Sequence, residues 1–126
     1  MKMGGKYIPM IASLFCLFSI AFGAFGAHSL NDFLRETNHL DTFETASKYL
    51  MYGGLLSFIE FYFSLQNSSS KQKKAAIIML ASTFIFAGAL YLICFTGVKV
   101  FGAIAPIGGL GMMISLVYFT WGFKHP

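Results

Sequence analysis

Long stretches without any charged residue constrain this chain more than any other feature. Three such runs extend over residues 7–27, 75–98 and 100–123. Each is at least as long as the roughly 20 residues that an α-helix needs to cross the hydrocarbon of a bilayer. Lipid offers no hydrogen-bonding partner to backbone groups, and the runs are too long for the roughly ten-residue strands of a membrane barrel. The runs therefore predict transmembrane helices.

A fourth run, residues 49–65, is interrupted only by Glu60 and can be extended upstream. We therefore predict an all-α integral membrane bundle, with four transmembrane helices over about 7–29, 43–66, 75–97 and 101–123 in one domain that covers residues 1–126. Composition excludes a soluble domain, because only 11% of the residues are charged, against about 25% in soluble proteins. A secretory signal over the first run is the alternative for that segment, since lysines precede it and small residues end it.

The distribution of basic residues predicts the orientation of the four spans. Both termini and the loop between the second and third spans share one side of the membrane. That side collects six lysines, against three basic residues on the other: Lys2, Lys6, Lys71, Lys73, Lys74 and Lys124 against Arg35, Lys48 and Lys99. The positive-inside rule then places both termini in the cytoplasm. The net charge of +4 is thus a topology signal, and we expect no nucleic-acid partner because the lysines form no groove with stacking aromatics.

The hydrophilic segment between the first and second spans carries its own helical pattern. Leu30, Phe33 and Leu34 recur at i, i+3 and i+4, which predicts a short amphipathic helix in the membrane interface. Asp41 or Thr42 is expected to cap the second span, with Glu44 at the capping-box spacing from Asp41. The serine-rich loop over residues 66–74 is expected to be mobile.

Small residues recur where helices would have to approach closely. In lipid, such residues let neighbouring backbones pack by van der Waals contact. Pro106, followed by two glycines, is also expected to kink or loosen the fourth span. The predicted helix-packing residues are Gly23, Gly26, Ala27, Gly88, Ala105, Pro106, Gly108 and Gly109.

Several short motifs resemble a known family. They are AFGAFGAH at residues 21–28, FETA at 43–46, FAGALYL at 86–92 and APIGG at 105–109, together with Tyr49, Tyr52 and the Thr96-Gly97 pair. In this order they resemble the YgdD/YwdK-type family of small bacterial membrane proteins, over essentially the whole chain. The resemblance implies a four-helix protein of the bacterial inner (plasma) membrane without an established biochemical activity. Relatives often have a histidine after the Tyr52 position, where this chain has Gly53, so no role of that histidine carries over.

Glu60 is the residue most indicative of function. It lies about 7–8 Å inside the cytoplasmic end of its apolar run, at ~1.5 Å per helical residue. An isolated carboxylate at that depth is costly, so it must be protonated, paired or open to water. One interpretation is a proton- or cation-coupled site. The other, which the shallow depth favours, is a glutamate that snorkels to the interface or pairs with Lys6 or a loop lysine.

A second polar group is predicted on the opposite side of the membrane. His28 follows the glycine-rich end of the first span, and it is expected to donate a structural hydrogen bond to Glu44, Tyr49 or Tyr52. A metal site is a weaker alternative, because its ligand spacing matches no known zinc motif; its members would be His28, Asp32, Glu36 and His39. We therefore predict no metal and no cofactor.

These observations lead to two functional hypotheses. No catalytic set can be assembled from the sequence, including the two cysteines, Cys16 and Cys94, which are expected to stay unpaired because their depths differ. The favoured hypothesis is a non-enzymatic membrane protein that binds lipid or a protein partner, including further copies of itself, through its glycine-lined faces. The alternative is a small transporter or a proton- or ion-conducting oligomer that uses Glu60.

Overall fold

The chain folds entirely into helices over the residues that the structure describes. A computed structural model describes residues 3–126, and Lys2 of the orientation argument lies outside them. No strand occurs within this range. The five helices are α1 (Met3–Ala27), α2 (Asn31–Glu36), α3 (Leu40–Gln66), α4 (Ser70–Thr96) and α5 (Phe101–Lys124).

The four long helices pack in the order α1, α3, α4, α5. Helices α3 and α4 form the central pair, α1 packs mainly on α3, and α5 packs on α4. The connections are short, and short connections between packed helices produce antiparallel neighbours. The two termini therefore lie at one end of the bundle, which we call the terminal end, and α2 lies at the other.

Three of these helices are long and apolar enough to cross a membrane. They are Gly5–Ala27 of α1, Ser70–Thr96 of α4 and Phe101–Lys124 of α5. Helix α3 is as long as α4, at 27 residues, but it is not in this group. It carries charged residues in its first turns, and its polar residues Ser57, Glu60 and Ser64 are buried inside the bundle.

Three of the four long helices begin earlier than the apolar runs predict, whereas α5 begins at Phe101 as predicted. Helix α1 begins at Met3, not residue 7, and it ends at Ala27 because the backbone turns there, where Leu30 N donates to the Phe25 carbonyl at 2.8 Å. Helix α4 begins at Ser70, not residue 75, because the Ser69 hydroxyl caps it by accepting from Gln72 N at 3.0 Å. The predicted loop over residues 66–74 is therefore shorter. Its lysines lie in the first turns of α4, before the apolar run begins.

The predicted capping box at the start of α3 is wrong. The helix begins at Leu40, and its N-cap is His39, whose side chain makes no capping hydrogen bond. Asn38 adopts a left-handed conformation with φ of 61°, and His39 N then donates to the Leu34 carbonyl at 2.8 Å. This backbone turn joins α2 to α3 directly, so Asp41 already lies within the first helical turn.

Helix α2 closes the bundle at the end opposite the termini. Its Leu34 is fully buried in a cluster with Phe43 of α3 and Cys94 of α4. Phe33 remains partly exposed and stacks on Phe95, with ring centroids 6.4 Å apart. The sequence pattern predicted a short amphipathic helix lying in the interface. In the structure, this helix also buries Leu34 inside the bundle.

Candidate functional site

A carboxyl group lies buried where three helices meet. Glu60 of α3 is 0% exposed, as is Ser115 of α5. Ser115 Oγ is 2.9 Å from Glu60 Oε2 and 3.2 Å from Oε1. The same Oγ is 2.6 Å from the carbonyl oxygen of Ala75 on α4. These contacts join α3, α4 and α5 through one hydroxyl, and we call the three residues the Glu60 cluster.

The surroundings of Glu60 differ from the favoured expectation. Snorkelling, or pairing with Lys6 or a loop lysine, would leave the carboxyl at the interface. Instead, among the described residues, its hydrogen bonds go to Ser115. Lys71, which was predicted to lie in the loop, lies over the Trp121 ring, with Nζ 5.4 Å from the ring centroid.

The sequence of α3 explains why Glu60 points inward. Gly53, Ser57, Glu60 and Ser64 are all buried, and their spacing of four, three and four places them on one face of the helix. The two serine hydroxyls donate to carbonyls of their own helix, Gly54 at 2.9 Å and Phe61 at 2.6 Å. The carboxyl is thus the group on this face that reaches another helix. Glu60 was predictable from its apolar run, but Ser115 was not predicted as its partner, although both are polar residues within apolar runs.

The second predicted polar group is not assembled in the structure. His28 and Glu44 are exposed, and among the described residues the imidazole makes no hydrogen bond to Glu44, Tyr49 or Tyr52. Tyr49 instead packs edge-on against Tyr52 and Phe86, with centroid distances of 5.3 Å and 5.1 Å. The two tyrosines therefore belong to an apolar surface.

A different polar network, which was not predicted from the sequence, lies near the α2 end. Ser19 of α1 donates to the Ser47 carbonyl of α3 at 2.6 Å. The Ser47 hydroxyl lies 2.7 Å from the Tyr91 hydroxyl of α4. This network links α1, α3 and α4, as the Glu60 cluster links α3, α4 and α5. Spacing alone does not reveal it, because its members come from three separate helices.

An apolar groove of about 700 Å³ runs along the outside of the bundle between α3 and α5, with α4 as its floor. We call it the α3/α5 groove. Its walls include Tyr49, Tyr52, Ile59, Phe86, Gly109 and Met112. Lys48 lies one turn before Tyr52, on the same face of α3, and it is exposed. A smaller groove of about 330 Å³ lies between α1, α3 and α4 and includes Gly88.

The predicted packing residues divide into contacts and open positions. A Cβ on Gly26 would lie 2.6 Å from the Phe43 ring, and one on Gly108 would lie 2.5 Å from Phe86 N. Ala105 is buried. By contrast, a Cβ on Gly23 or Gly88 would meet nothing within 4 Å, and Ala27 and Pro106 are exposed.

Several close contacts between helices were not predicted, and two of them involve the Gly53-Gly54 pair of α3. A Cβ on Gly53 would overlap the side chain of Thr83 on α4, and one on Gly54 would lie 3.0 Å from the Ala12 carbonyl of α1. Two adjacent glycines inside a helix could have indicated these contacts. Glycine destabilises a helix interior, so its presence there suggests that a neighbouring helix packs too closely for a larger residue.

The residues of the metal alternative do not share one helix. Helix α2 spans only Asn31–Glu36, which leaves His28 and His39 outside it. No group of three or more His, Cys, Asp or Glu residues in the described part of the chain could hold a metal ion. Cys16 and Cys94 are both free.

Comparisons with known proteins identify relatives but no activity. Residues 22–109 match the family described as "Protein of unknown function (DUF423)". A UPF0382 membrane protein of Staphylococcus aureus is 32% identical over 112 residues, which cover 89% of this chain and 90% of that protein. The UPF0382 membrane protein YwdK of Bacillus subtilis is 29% identical over 113 residues, with 89% and 91% covered. A UPF0382 membrane protein of Schizosaccharomyces pombe is 28% identical over 108 residues, with 82% and 89% covered. No solved structure matches the chain.

Proposed function

Since the chain belongs to the DUF423 family of unknown function, whose curated relatives are named as membrane proteins, we propose that it is a non-enzymatic, four-span inner-membrane protein. Its proposed function is to hold a phospholipid acyl chain in the α3/α5 groove. Helix α3 is the fourth span in this proposal. Its polar side chains Ser57, Glu60 and Ser64 face the bundle interior. Its exposed residues over the same turns include Leu55 and Ile59, which suit contact with lipid.

The orientation follows the positive-inside rule. Lys6, Lys71, Lys73, Lys74 and Lys124 lie at the terminal end of the bundle, which therefore faces the cytoplasm in this proposal. The α2 end faces outward and carries Asp32, Glu36, Asp41 and Glu44 in exposed positions.

The α3/α5 groove is the observation that carries the proposed binding function. Its volume of about 700 Å³ lies within the range of roughly 300–1,000 Å³ that is typical of small-molecule sites. It is open along the side of the bundle, and its lining is almost entirely hydrocarbon. A site of this shape suits a flexible apolar chain that enters sideways from the bilayer.

The charge beside the groove selects a phospholipid as the occupant. Lys48 continues the lining face of α3 beyond Tyr52, toward the outward end. A phospholipid with its acyl chain along the groove would bring its phosphate to this ammonium group and to the tyrosine hydroxyls. A cation placed at the mouth of an apolar groove complements the one charge that every phospholipid headgroup has in common.

Photo-crosslinking tests this proposal. The protein is reconstituted in nanodiscs of phosphatidylethanolamine and phosphatidylglycerol that contain phosphatidylglycerol with a diazirine on its acyl chain. We expect crosslinks to concentrate on the groove residues Met112 and Met113. Gly109→Leu should lower this yield about tenfold, which corresponds to ~1.4 kcal/mol, because the added side chain fills the groove.

Gly88→Leu is the matched control, since Gly88 lines the other groove and a Cβ there meets nothing within 4 Å. A Cβ on Gly109 makes only ordinary contact with the Phe86 ring, at 3.5 Å, so both variants should fold. Equal crosslinking at Met112 and at Ile114, which is exposed on α5 but does not line the groove, would contradict a lipid site. Crosslinks at the groove to a second copy or another membrane protein would replace lipid by a protein partner.

The buried carboxyl favours a second candidate, a small proton- or ion-coupled transporter. Glu60 is 0% exposed within the bundle, and intramembrane carboxyls of this kind often mark ion or proton pathways. The test compares proton and cation fluxes into liposomes that contain the wild type or Glu60→Gln. A flux that disappears in Glu60→Gln supports this function, whereas equal fluxes over a range of pH remove Glu60 from it.

A further inference from the structure

If Glu60 were ionised, the Glu60 cluster would have only one donor hydrogen for its two hydrogen-bond contacts. An ionised carboxylate only accepts hydrogen bonds, and a backbone carbonyl also only accepts. The Ser115 hydroxyl has a single hydrogen to donate. Yet its Oγ lies within hydrogen-bond distance of acceptors on both sides, 2.6 Å from the Ala75 carbonyl and 2.9 Å from Glu60 Oε2.

A proton on Glu60 satisfies both contacts. If Ser115 donates to the nearer acceptor, the Ala75 carbonyl, then an ionised Glu60 would face Oγ lone pair to lone pair at 2.9 Å. A neutral Glu60 donates its own O–H to Ser115 Oγ instead. We propose that Glu60 is a proton-binding site whose carboxyl is neutral at neutral pH, donating to Ser115 and through it linking α3 to α4 and α5.

The surrounding helices hold no buried charge that would replace this proton. Of the Asp, Glu, Lys and Arg side chains in the described residues, Glu60 alone is buried. The charged residues on the helices packed around it are exposed or half-buried near the helix ends, namely Lys6 on α1, Lys71, Lys73 and Lys74 on α4, and Lys124 on α5. The charges of α3 itself, Asp41, Glu44 and Lys48, are in its first turns, far from Glu60 along the helix. Burial of an unpaired carboxylate is strongly unfavourable, so the neutral form is the stable one here.

The ligand of this site is a proton, and the site does not depend on lipid in the α3/α5 groove. Both contacts of the cluster are made by Ser115, so the proton completes a link between α5 and the central helix pair. The Ala75 carbonyl can accept this bond in addition to its helical one, because a carbonyl oxygen has two lone pairs.

Infrared spectroscopy of the reconstituted full-length protein tests the inference. A protonated carboxyl has a carbonyl stretching band that an ionised carboxylate lacks. At neutral pH we expect such a band in the wild type, shifted when the protein is made with heavy-isotope-labelled glutamate and lost in Glu60→Gln. Glu44→Gln is the matched control, because Glu44 is an exposed glutamate on the same helix, and it should leave the band unchanged.

Ser115→Ala adds a readout that depends on the hydrogen bond itself. Without the hydroxyl, the band should persist but move to higher frequency, since the neutral carboxyl loses its acceptor. If Glu60→Gln does not fold, the isotope shift in the wild type and the frequency change in Ser115→Ala assign the band. Absence of a labelled-glutamate band in the folded wild type at neutral pH would overturn the proposal, as would a band that Glu44→Gln removes.

Discussion

Gly108 of α5 packs directly against the backbone of α4, and its replacement by alanine should separate the two helices. A Cβ at this position would lie 2.5 Å from Phe86 N and 2.8 Å from Phe86 Cα. Non-bonded heavy atoms prefer about 3.5–4.0 Å, so the backbones must move apart by about 1 Å. Because the obstructing atoms are backbone, no rotamer change can relieve the contact.

The adjacent glycine provides the comparison from which the magnitude follows. A Cβ on Gly109 would meet only the Phe86 ring, at 3.5 Å, which is an ordinary contact. Both alanine variants gain the same intrinsic helix propensity, about 1 kcal/mol, so this gain cancels between them. Overpacking typically costs about 1–3 kcal/mol. Gly108→Ala should therefore be less stable than Gly109→Ala by that amount, roughly 5- to 150-fold in the ratio of folded to unfolded protein.

Reversible unfolding in mixed micelles measures this difference. Both variants are titrated with sodium dodecyl sulfate under identical conditions, and the helical signal gives the free energy of unfolding of each. Equal stability of Gly108→Ala and Gly109→Ala would refute the close approach of α4 and α5 at Phe86. The comparison holds for any absolute stability, because the two substitutions add the same atoms one residue apart.

Three further predictions follow from buried polar groups and from the orientation of the bundle. Thr83→Val should raise the free energy of unfolding by about 1 kcal/mol, because Oγ1 of the buried Thr83 has no hydrogen-bond partner among the described residues. A loss of stability in the same micelle titration would argue against an unpaired hydroxyl at this position. Tyr91→Phe should lower the free energy of unfolding by about 0.5–1.5 kcal/mol. In a double-mutant cycle with Ser47→Ala, the two effects should not add; additive effects would rule out the 2.7 Å hydrogen bond between the hydroxyls. In intact cells, an impermeant thiol reagent should label Asp32→Cys but not Asn67→Cys, and the reverse pattern would invert the proposed topology.

The sequence located the long helices but not all of their ends. Charge-free runs mark where a chain can enter hydrocarbon, and they identified the centres of α1, α4 and α5. A run ends at its first charged residue, however, whereas a helix ends where its backbone groups find other partners. Ser69 supplies such a partner to Gln72 N, so α4 begins before its lysines. Asn38 allows the backbone turn that starts α3, which made the predicted capping box unnecessary.

The candidate site was predictable in one member and not in the others. Glu60 could be recognised because a carboxyl within an apolar run must be explained by its surroundings. Its partner could not, since Ser115 lies 55 residues away on a helix whose rotation the sequence does not determine. The opposite error occurred with His28, where closeness to aromatic and acidic residues along the chain suggested hydrogen bonds that the structure does not contain.

Helix α3 shows why average hydropathy can understate a central helix of this bundle. Hydropathy is summed over all faces of a helix, but lipid contacts only the outer face. Ser57, Glu60 and Ser64 lower the average, yet they are buried against neighbouring helices. Helices α1 and α5 each pack mainly on one neighbour, so more of their circumference faces outward and must be apolar. In the proposed four-span arrangement, a central helix can therefore be the least apolar of the long helices and still cross the membrane, provided that its polar groups find partners inside, as Glu60 does in Ser115.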